Sequence, residues 1–303
     1  MATVNKRTGQ PQAVVINGVD AGGAMSARIS CGYDTIARYA PDGLQAQISD
    51  REAQFVRGTI ASQDWIHAIA LLTGTVGTLV FYERKSGVDD AAGFIKHTLT
   101  APVIHRFRLR VTKGGYAVVD FDFECRAADP TKTIADMWAM TDSQPAPTYV
   151  SAARGGVRIE ACVHGTGGST ITVHHLTAFE FGIAMQLVKA CNDGDISYTC
   201  VDARAEGLAA DGSITFQDSA VTASALVCQQ LIAAARANLV LTLRQSAGAA
   251  DKTVTIAGVV FNSANSDGGA EKDFTDYTAA FEVVNDITTQ LTLAGTNEII
   301  AIV

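Results

Sequence analysis

Two neighbouring runs of alternating polar and apolar residues constrain this fold more than any other feature of the sequence. Residues 105–111 alternate arginine with apolar residues, residues 119–124 alternate acidic with apolar residues, and Lys-Gly-Gly lies between them at 113–115. Because successive side chains of a strand point to opposite faces, each run predicts a half-buried strand. The glycines predict a turn that joins the two strands into an antiparallel hairpin.

A three-residue loop over 114–116 would set the register of this hairpin. The predicted polar pairs are Arg106 with Glu124, Arg108 with Asp122 and Arg110 with Asp120. The predicted apolar pairs are Phe107 with Phe123, Leu109 with Phe121 and Val111 with Val119. A slip of one residue would disrupt both faces, so the pattern favours an ion-pair ladder on one face and an apolar ladder on the other. Phosphate binding by the three arginines is the alternative, and neutralisation by the acidic stripe is favoured over it.

A short helix and a further strand precede the hairpin. The helix is predicted to begin at Ser62 or Asp64 and to end at Gly74, and the strand to cover 76–84. The polar segment 85–96 is predicted to be a loop that projects from the body of the protein. Residues 65–82 carry no formal charge, but the glycines and threonines near position 75 favour helix, turn and strand over a membrane span.

The same order of elements returns between residues 218 and 282. A second helix is predicted over 219–235, with Val221, Ala225, Cys228, Ile232 and Ala235 on one face, and a closing hairpin over 253–261 and 274–284. The spacing between matched points runs from 143 residues at the first strand to about 160 in the middle of the domain and 158 at the pair Glu124 and Glu282. Similar order with small insertions indicates duplication followed by divergence. In this alignment the arginine positions of the first hairpin are taken by Thr255, Ala257 and Val259.

The predicted domain organisation has five segments: an N-terminal arm 1–12, a β domain 13–128, a linker 129–150, a second β domain 151–285 and a C-terminal extension 286–303. Each domain is predicted to open with two strands joined by a glycine-rich turn, 14–20 with 25–32 and 157–163 with 170–174. Residues 33–43 read as a loop, and a short helix is predicted within the linker at 134–140. The extension has no counterpart in the first half in this interpretation.

Composition excludes several classes of function. The net charge of −8 and the absence of a Lys/Arg block argue against a broad nucleic-acid-binding face. The six cysteines lie far apart without a CxxC pair, which predicts reduced, mostly buried thiols. The polar N-terminus does not have the pattern of a signal peptide.

No group of residues indicates catalysis, a metal or a cofactor, so none is expected. His174 and His175 would point to opposite faces of a strand, and with His164 they are interpreted as ordinary strand histidines. The glycine-rich segment 164–169 lies in a hairpin pattern, whereas a phosphate cradle needs a helix directly after the loop. Residues 192–195 carry oxygen donors without the spacing of a calcium loop and predict a turn.

With these residues in place, the chain resembles the tail tube proteins of long-tailed bacteriophages, in a version with two tube-type domains in one polypeptide. The resemblance rests on antiparallel strands with one short helix inserted per domain, here 62–72 and 219–235, on the loop 85–96 and on free arms at both ends. It implies a mainly β fold of two tandem antiparallel β-sandwich or barrel domains. It also implies trimeric rings of pseudo-sixfold symmetry that stack into a hollow tube in the virion.

The resemblance further implies self-contacts, contacts with the tape measure, terminator and baseplate proteins, and genome DNA that passes through the lumen without specific binding. Assembly would take place in the cytoplasm of the host bacterium. The arm 1–12, the loop 85–96 and the apolar end 299–303 are the candidates for contacts between rings. A baseplate hub or distal tail ring is the structural alternative. A carbohydrate-binding β-sandwich module is a further alternative, and the dispersed loop candidates Tyr33, Tyr39, Tyr149 and Tyr198 count against it.

Overall fold

The computed structural model of the chain describes residues 7–16, 19–20, 24–39, 46–63, 77–85, 91–115, 117–147, 158–165, 170–192, 194–217, 221–222, 225–244, 252–268, 275–285 and 299–302. Most of these residues lie in antiparallel β-strands. The predicted mainly β, antiparallel fold is therefore confirmed at this level.

The strands of the first half are β1 Arg7–Ile16, β2 Val19–Asp20, β3 Ala24–Tyr39, β4 Ala46–Ser62, β5 Thr78–Lys85, β6 Phe94–Thr100, β7 Pro102–Thr112, β8 Val118–Cys125 and β9 Trp138–Gln144. A single helical turn, α1 Ile134–Met137, precedes β9.

The second half contains β10 Arg158–His164, β11 Ile171–Val173, β12 Leu176–Ala190, β13 Cys200–Phe216, β14 Val221–Thr222, β15 Ala225–Leu226, α2 Val227–Ala233, β16 Ala237–Arg244, β17 Lys252–Asp267, β18 Asp276–Val283 and β19 Ile300–Ile302.

These strands form two main sheets that share a hydrophobic core. One sheet has the order β2-β1-β5-β6-β9, and the other has the order β11-β10-β16-β17-β18-β13-β12-β7-β8-β4-β3 with β19 on β17. Val14 and Leu79 of the smaller sheet and Phe107 and Phe121 of the larger one are at most 1% exposed and belong to the same cluster. The arrangement is β-sandwich-like, with apolar side chains alternating inward along each strand.

The central hairpin forms as β7 and β8, with the predicted faces but a different register. Arg106 pairs with Asp122 and Phe107 with Phe121, so the partners lie two positions away from those predicted. The connection is longer than three residues, because the last pair joins Arg110 to Val118. A shift of two residues keeps every side chain on its face, and an argument from alternation alone cannot detect it.

The N-terminal predictions need correction. Residues 7–12 belong to β1, which pairs with β5, and therefore are not part of a free arm. The predicted hairpin between 14–20 and 25–32 does not form, because β1 pairs with the two-residue strand β2 while β3 pairs with β4. β3 also continues to Tyr39, through most of the predicted loop 33–43.

Three predicted connections are partly strands. Lys85 and Lys96 lie in β5 and β6, and the backbone N–H of Lys85 donates to the carbonyl of Gly93 at 2.7 Å, so the predicted loop 85–96 is shorter. In the predicted linker, β9 extends the smaller sheet by pairing with β6. In the closing hairpin, β17 reaches Asp267 and takes much of the predicted loop 262–273.

The two predicted helices differ in outcome. Residues 64–74 of the first lie outside the described residues, and Ser62 ends β4. The second is only Val227–Ala233, with Val227 and Leu231 buried and Ile232 40% exposed, so its predicted apolar face was wrong. The predicted helix included Val221–Thr222 and Ala225–Leu226, which instead form the two-stranded ribbon of β14 and β15.

The strand pairings of the second half repeat those of the first. The matching pairs are β10–β11 with β1–β2, β10–β16 with β1–β5, β12–β13 with β3–β4, β13–β18 with β4–β8, β16–β17 with β5–β6, β17–β18 with β7–β8, and β17–β19 with β6–β9. β17 is one strand where the first half has β6 and β7. The predicted repeat of order is thus matched in the pairing of the strands, whereas the boundaries of the two predicted domains stay a prediction.

Two glycines show how closely the repeats agree. Gly58 pairs with Phe123, and Gly212 pairs with Phe281. A Cβ at either glycine would lie 2.3 Å from a backbone oxygen, that of Arg28 or of Glu180, and close to the paired phenylalanine. The same close approach of backbone and ring is therefore built at both places.

The turn between β6 and β7, the two strands that together correspond to β17, has a counterpart within β17. Ala101, between β6 and β7, has φ 45°, and Gly258, within β17, has φ 71°. The carbonyls of these two residues accept backbone hydrogen bonds from Arg126 and Val284 at 3.0 and 2.9 Å. A register irregularity follows each of them, before Arg106 and before Ser263.

This correspondence corrects two further predictions. Ser263, Asn265 and Asp267, which follow the second irregularity, occupy the positions of Arg106, Arg108 and Arg110, in place of the predicted Thr255, Ala257 and Val259. The C-terminal extension does have a counterpart, because β19 pairs with β17 as β9 pairs with β6. The first error arose because the sequence alignment placed the turn before residue 253, whereas it lies at Gly258 within β17. The second arose because β9 was read as part of the linker.

Candidate assembly interface

The two halves are joined edge to edge by β7 and β12. Seven antiparallel pairs run from Arg106 opposite Ala184 to Thr112 opposite Ala178. Beyond them, the backbone N–H of Lys113 donates to the carbonyl of Thr177 at 2.7 Å. Each half thus completes the ladder of the other at this edge, which we call the junction.

The inner face of the junction is apolar and closely packed. Phe107 lies opposite Ile183 and Leu109 lies opposite Phe181, and all four side chains are at most 1% exposed. Burial of one such side chain contributes about 1.5–3 kcal/mol. The alternation of 105–111 therefore serves two ladders, one with β8 and one with β12.

On the outer face, the predicted arginine stripe is shared between the halves. Arg108 Nε lies 2.8 Å from Oε1 of Glu180 on β12, and Arg110 forms an ion pair with Asp120 on β8. The interpretation as neutralisation holds for these two arginines, but one of the partners comes from the second half. Both pairs are exposed enough that each stabilises the fold by at most about 1 kcal/mol.

A polar cluster lies at one end of the junction. Lys189 Nζ lies 2.8 Å from Oδ2 of Asp34 and 3.1 Å from Oε1 of Glu124. The hydroxyl of Tyr198 donates to the same Asp34 oxygen at 2.8 Å, and the Lys189 ammonium also sits 4.6 Å from the centre of the Tyr198 ring. The cluster links Lys189 and Tyr198 of the second half to Asp34 and Glu124 of the first.

Burial and charge move the pKa values of this cluster in opposite directions. Burial raises the pKa of Glu124, against the lowering effect of Lys189. For Asp34, burial also acts to raise the pKa, but the hydrogen bonds from Lys189 and Tyr198 outweigh it and the pKa is lowered. Burial acts to lower the pKa of Lys189, and its two carboxylate partners outweigh this and raise it. Lys189 is therefore the cation that allows a carboxylate to be buried at the junction.

Sequence reasoning missed this cluster. It paired Glu124 with Arg106, although Glu124 is 2% exposed and lies next to Lys189. The available signal was Lys189 itself, the only formal cation of the β12 sequence. Its partners Asp34 and Glu124 are 155 and 65 positions away, and only the tertiary structure brings them together.

Two strand edges correspond to the two sides of the junction and have no strand partner among the described residues. The first is β3, which pairs only with β4. The second is the C-terminal part of β17, residues 263–267, which pairs on one side with β18. β3 corresponds to β12, and this part of β17 corresponds to β7. The chain therefore pairs β7 with β12 at the junction, while the corresponding edges of β17 and β3 are not paired with each other within the chain.

The other residues singled out in the sequence do not form a site. His164 is buried with Nε2 3.3 Å from the carbonyl of Val259, while His174 and His175 are exposed between β11 and β12, and not on a strand. Within the described part of the chain, no three His, Cys, Asp or Glu side chains could hold a metal ion.

The glycine-rich segment and the acidic loop are local structures. Gly165 follows β10, and its N–H donates to the carbonyl of Asn238 on β16 at 3.0 Å. Residues 166–169 lie outside the described residues. The N–H of Asn192 donates to a carboxylate oxygen of Asp195 at 2.8 Å, in agreement with the predicted turn.

Of the four loop-candidate tyrosines, only Tyr33 and Tyr198 have described side chains, and the cysteines are not paired. Tyr198 is buried in the polar cluster, and Tyr33 is 40% exposed on β3. The Tyr39 side chain and Tyr149 lie outside the described residues. All six cysteines are free, as predicted, but only Cys125 and Cys162 are buried, and burial raises the pKa of each to about 12. Cys31 and Cys200 are exposed.

No helix among the described residues is long and apolar enough to cross a membrane. The comparisons with known proteins leave the family open: no protein-family model matches the chain, and the search of curated proteins finds no match.

Proposed function

We propose that this chain is a structural virion protein of a long-tailed bacteriophage, which self-assembles into rings that stack into the hollow tail tube through which DNA passes. The observation that carries the proposal is the junction, together with its two open counterparts. A chain that joins two similar β units edge to edge, and presents the same two edges at its ends, can continue the arrangement with further copies.

The physical reason for assembly is the state of these edges. An unpaired strand edge presents N–H and C=O groups that readily pair with another strand, and a closed ring would satisfy all of them. A head-to-tail contact between identical copies either closes into a ring or continues as a filament. The resemblance described above favours closure at three chains, that is, six similar units.

The acidic balance of the chain supports a role as a conduit. With a net charge of −8, the protein has no excess of cations to retain the phosphate backbone, whereas non-specific DNA binding depends on Lys and Arg. Contacts with tape measure, terminator and baseplate proteins belong to the same proposal, as does location in the tail.

The proposed contacts between rings need revision. Residues 7–12 lie in β1, and Ile300–Ile302 pair with β17, so both are engaged within the chain. Deletion of 85–96 would remove strand residues, including Lys85, which is 6% exposed. Replacement of 86–92 by a short Gly/Ser turn is the better test, and it is expected to leave rings intact and to prevent their stacking.

Negative-stain microscopy of the purified protein tests the proposal. Long hollow tubes are expected. Isolated rings that do not stack would instead support the baseplate hub or distal ring. A protein that stays monomeric at all concentrations, and binds glycans on an array, would overturn self-assembly and support the carbohydrate-binding module.

A further inference from the structure

We propose that β3 of a second copy of this chain pairs antiparallel with residues 263–267 of β17, in the register that places Arg28 opposite Asp267 and Cys31 opposite Ala264. The inference rests on the proposed self-assembly, and it adds which edges meet and how they are aligned.

The register follows from the junction. Phe181 pairs with Gly212 as Ile29 pairs with Gly58, which aligns β12 with β3. In the same way, Ser263 pairs with Ala280 as Arg106 pairs with Asp122, which aligns β17 with β7. Transfer of the β7–β12 pairs to these strands gives the pairs Ala27–Gly268, Arg28–Asp267, Ile29–Ser266, Ser30–Asn265, Cys31–Ala264 and Gly32–Ser263.

The charges of the two edges are complementary in this register. At the junction, Glu180 lies opposite Arg110. At the proposed contact the signs are exchanged, because Arg28 stands at the Glu180 position and Asp267 at the Arg110 position, and both are exposed. Opposite charges directly across two strands stabilise the pairing, whereas like charges oppose it. A register shifted by one residue would place Arg28 on the other face from Asp267.

An apolar pocket lies beside the β17 edge, on the side that the second copy would cover. The pocket has a volume of 490 Å³ and is lined by Ser263 and Ala264 of β17 and by four residues of α2, among them Cys228 and Ile232. Ile232 is 40% exposed. Ala264 corresponds to Phe107, which points into the core, so side chains opposite it point toward the pocket.

The side of β3 that would face the pocket is apolar. Ala27 and Ile29 are partly buried and pack on the core, and Cys31 follows them on the same face. At the junction, the residue that corresponds to Cys31 is Ile183, which is 1% exposed and lies opposite Phe107. The pairing of backbone edges, the charges and the apolar pocket therefore all favour the same occupant, which is a second copy of the chain.

A disulfide test uses Cys31 as it occurs in the chain. Directly opposite residues on paired strands lie within the Cα distance that a disulfide requires. Under mild oxidation, Ala264→Cys is expected to yield chains linked through Cys31, seen on a non-reducing gel and located by mass spectrometry of the linked peptides. The matched control Asn265→Cys points to the opposite face and should link at least about tenfold less. Addition of Cys31→Ser to Ala264→Cys should remove the link.

The outcomes separate the two proposals. If the wild-type protein forms rings or tubes but Ala264→Cys gives no link to Cys31, the register is wrong while self-assembly stands. If the wild-type protein is monomeric at every concentration, self-assembly is overturned and this inference falls with it.

A charge exchange gives a second readout that does not depend on thiol chemistry. Arg28→Asp and Asp267→Arg should each reduce sedimentable assemblies strongly, because each variant places like charges across the contact. The double variant restores opposite charges and is expected to recover assembly. Equal loss in the double variant, with native circular dichroism throughout, would contradict the pairing of these two residues.

Discussion

The closed junction and the open edge of β17 are built on the same strand pattern but from different residues. The closed edge carries Phe107 and Leu109 on its inner face, both at most 1% exposed, where the open edge carries Ala264 and Ser266. The closed junction also carries the polar cluster around Lys189. A contact formed during folding of one chain can bury large apolar groups permanently. A contact between separate chains must leave each chain soluble beforehand, and small or polar side chains suit that requirement.

The strongest test of this difference is Lys189→Met. The change leaves Glu124 buried without its cation, and we expect the free energy of unfolding to fall by about 2–3 kcal/mol, below the full value for a buried pair because Lys189 is partly exposed. Urea unfolding in the background of Asp267→Arg, which is expected to reduce assembly, measures it. Lys189→Met with Glu124→Gln is the control, and it should recover part of the loss because it removes the unpaired charge.

The same variant has a predicted dependence on pH. Burial already raises the pKa of Glu124, and loss of Lys189 should raise it further. A carboxyl whose folded-state pKa is raised stabilises the fold below its unfolded pKa, and this stability is lost as the pH rises through the folded pKa. The loss caused by Lys189→Met should therefore be larger at pH 8 than at pH 5, and an equal loss at both would contradict the assignment.

The paired glycines test how far the two repeats agree. Gly58→Ala and Gly212→Ala each place a Cβ 2.3 Å from a backbone oxygen, so each should cost about 1–3 kcal/mol through forced backbone movement. Thermal unfolding of the two variants should show similar decreases. Gly182→Ala on β12 is the matched control, since its nearest contact would be at 3.6 Å and no loss is expected. A large loss at only one of the two glycines would mean that the repeats differ there.

A smaller effect is expected at the two turns. Gly258 has φ 71°, so Gly258→Ala should cost about 1 kcal/mol. Ala101 already has a side chain at φ 45°, so Ala101→Gly should change stability by less than about 0.5 kcal/mol, because relief of strain is offset by a freer unfolded chain. Denaturant titrations of both variants would show the difference, and a larger effect at Ala101 would reverse the comparison.

The smallest effect expected for a substitution at the junction is that of Arg108→Ala. The ion pair with Glu180 is about half exposed, so its loss should cost about 0.2–1 kcal/mol and fade in high salt. Arg108→Lys is the control that keeps the charge. A decrease above 2 kcal/mol by urea titration would contradict the interpretation of Arg108 and Glu180 as an exposed, weakly stabilising pair.

Much of the local structure was predictable from residue patterns. The alternation in 105–124 predicted the strands and faces of β7 and β8, because burial selects one face of each strand. The order of elements also predicted a repeat, and the strand pairings show one. The registers were less accessible, since a shift of two residues leaves the faces of Phe107 and Arg108 unchanged.

The candidate site was not predictable in the same way. Arg108 was expected to pair within its own hairpin and contacts Glu180 of the other half, and the partners of Lys189 are far away in the sequence. Hydrophobic periodicity reports which side of a strand is buried, but it contains no information about which distant strand lies beside it. Hydrophobic periodicity therefore could not predict the pairing of β7 with β12.

The sequence by itself determined that this chain forms antiparallel strands with defined inner faces, and that two stretches follow a similar order, because local alternation and turn residues act over a few positions. Only the tertiary structure decided that the two stretches share one sheet, that Lys189 neutralises Glu124, and that β3 and the end of β17 are edges with no strand partner among the described residues. Strand neighbours are chosen by long-range packing and backbone hydrogen bonding, which depend on the whole chain at once.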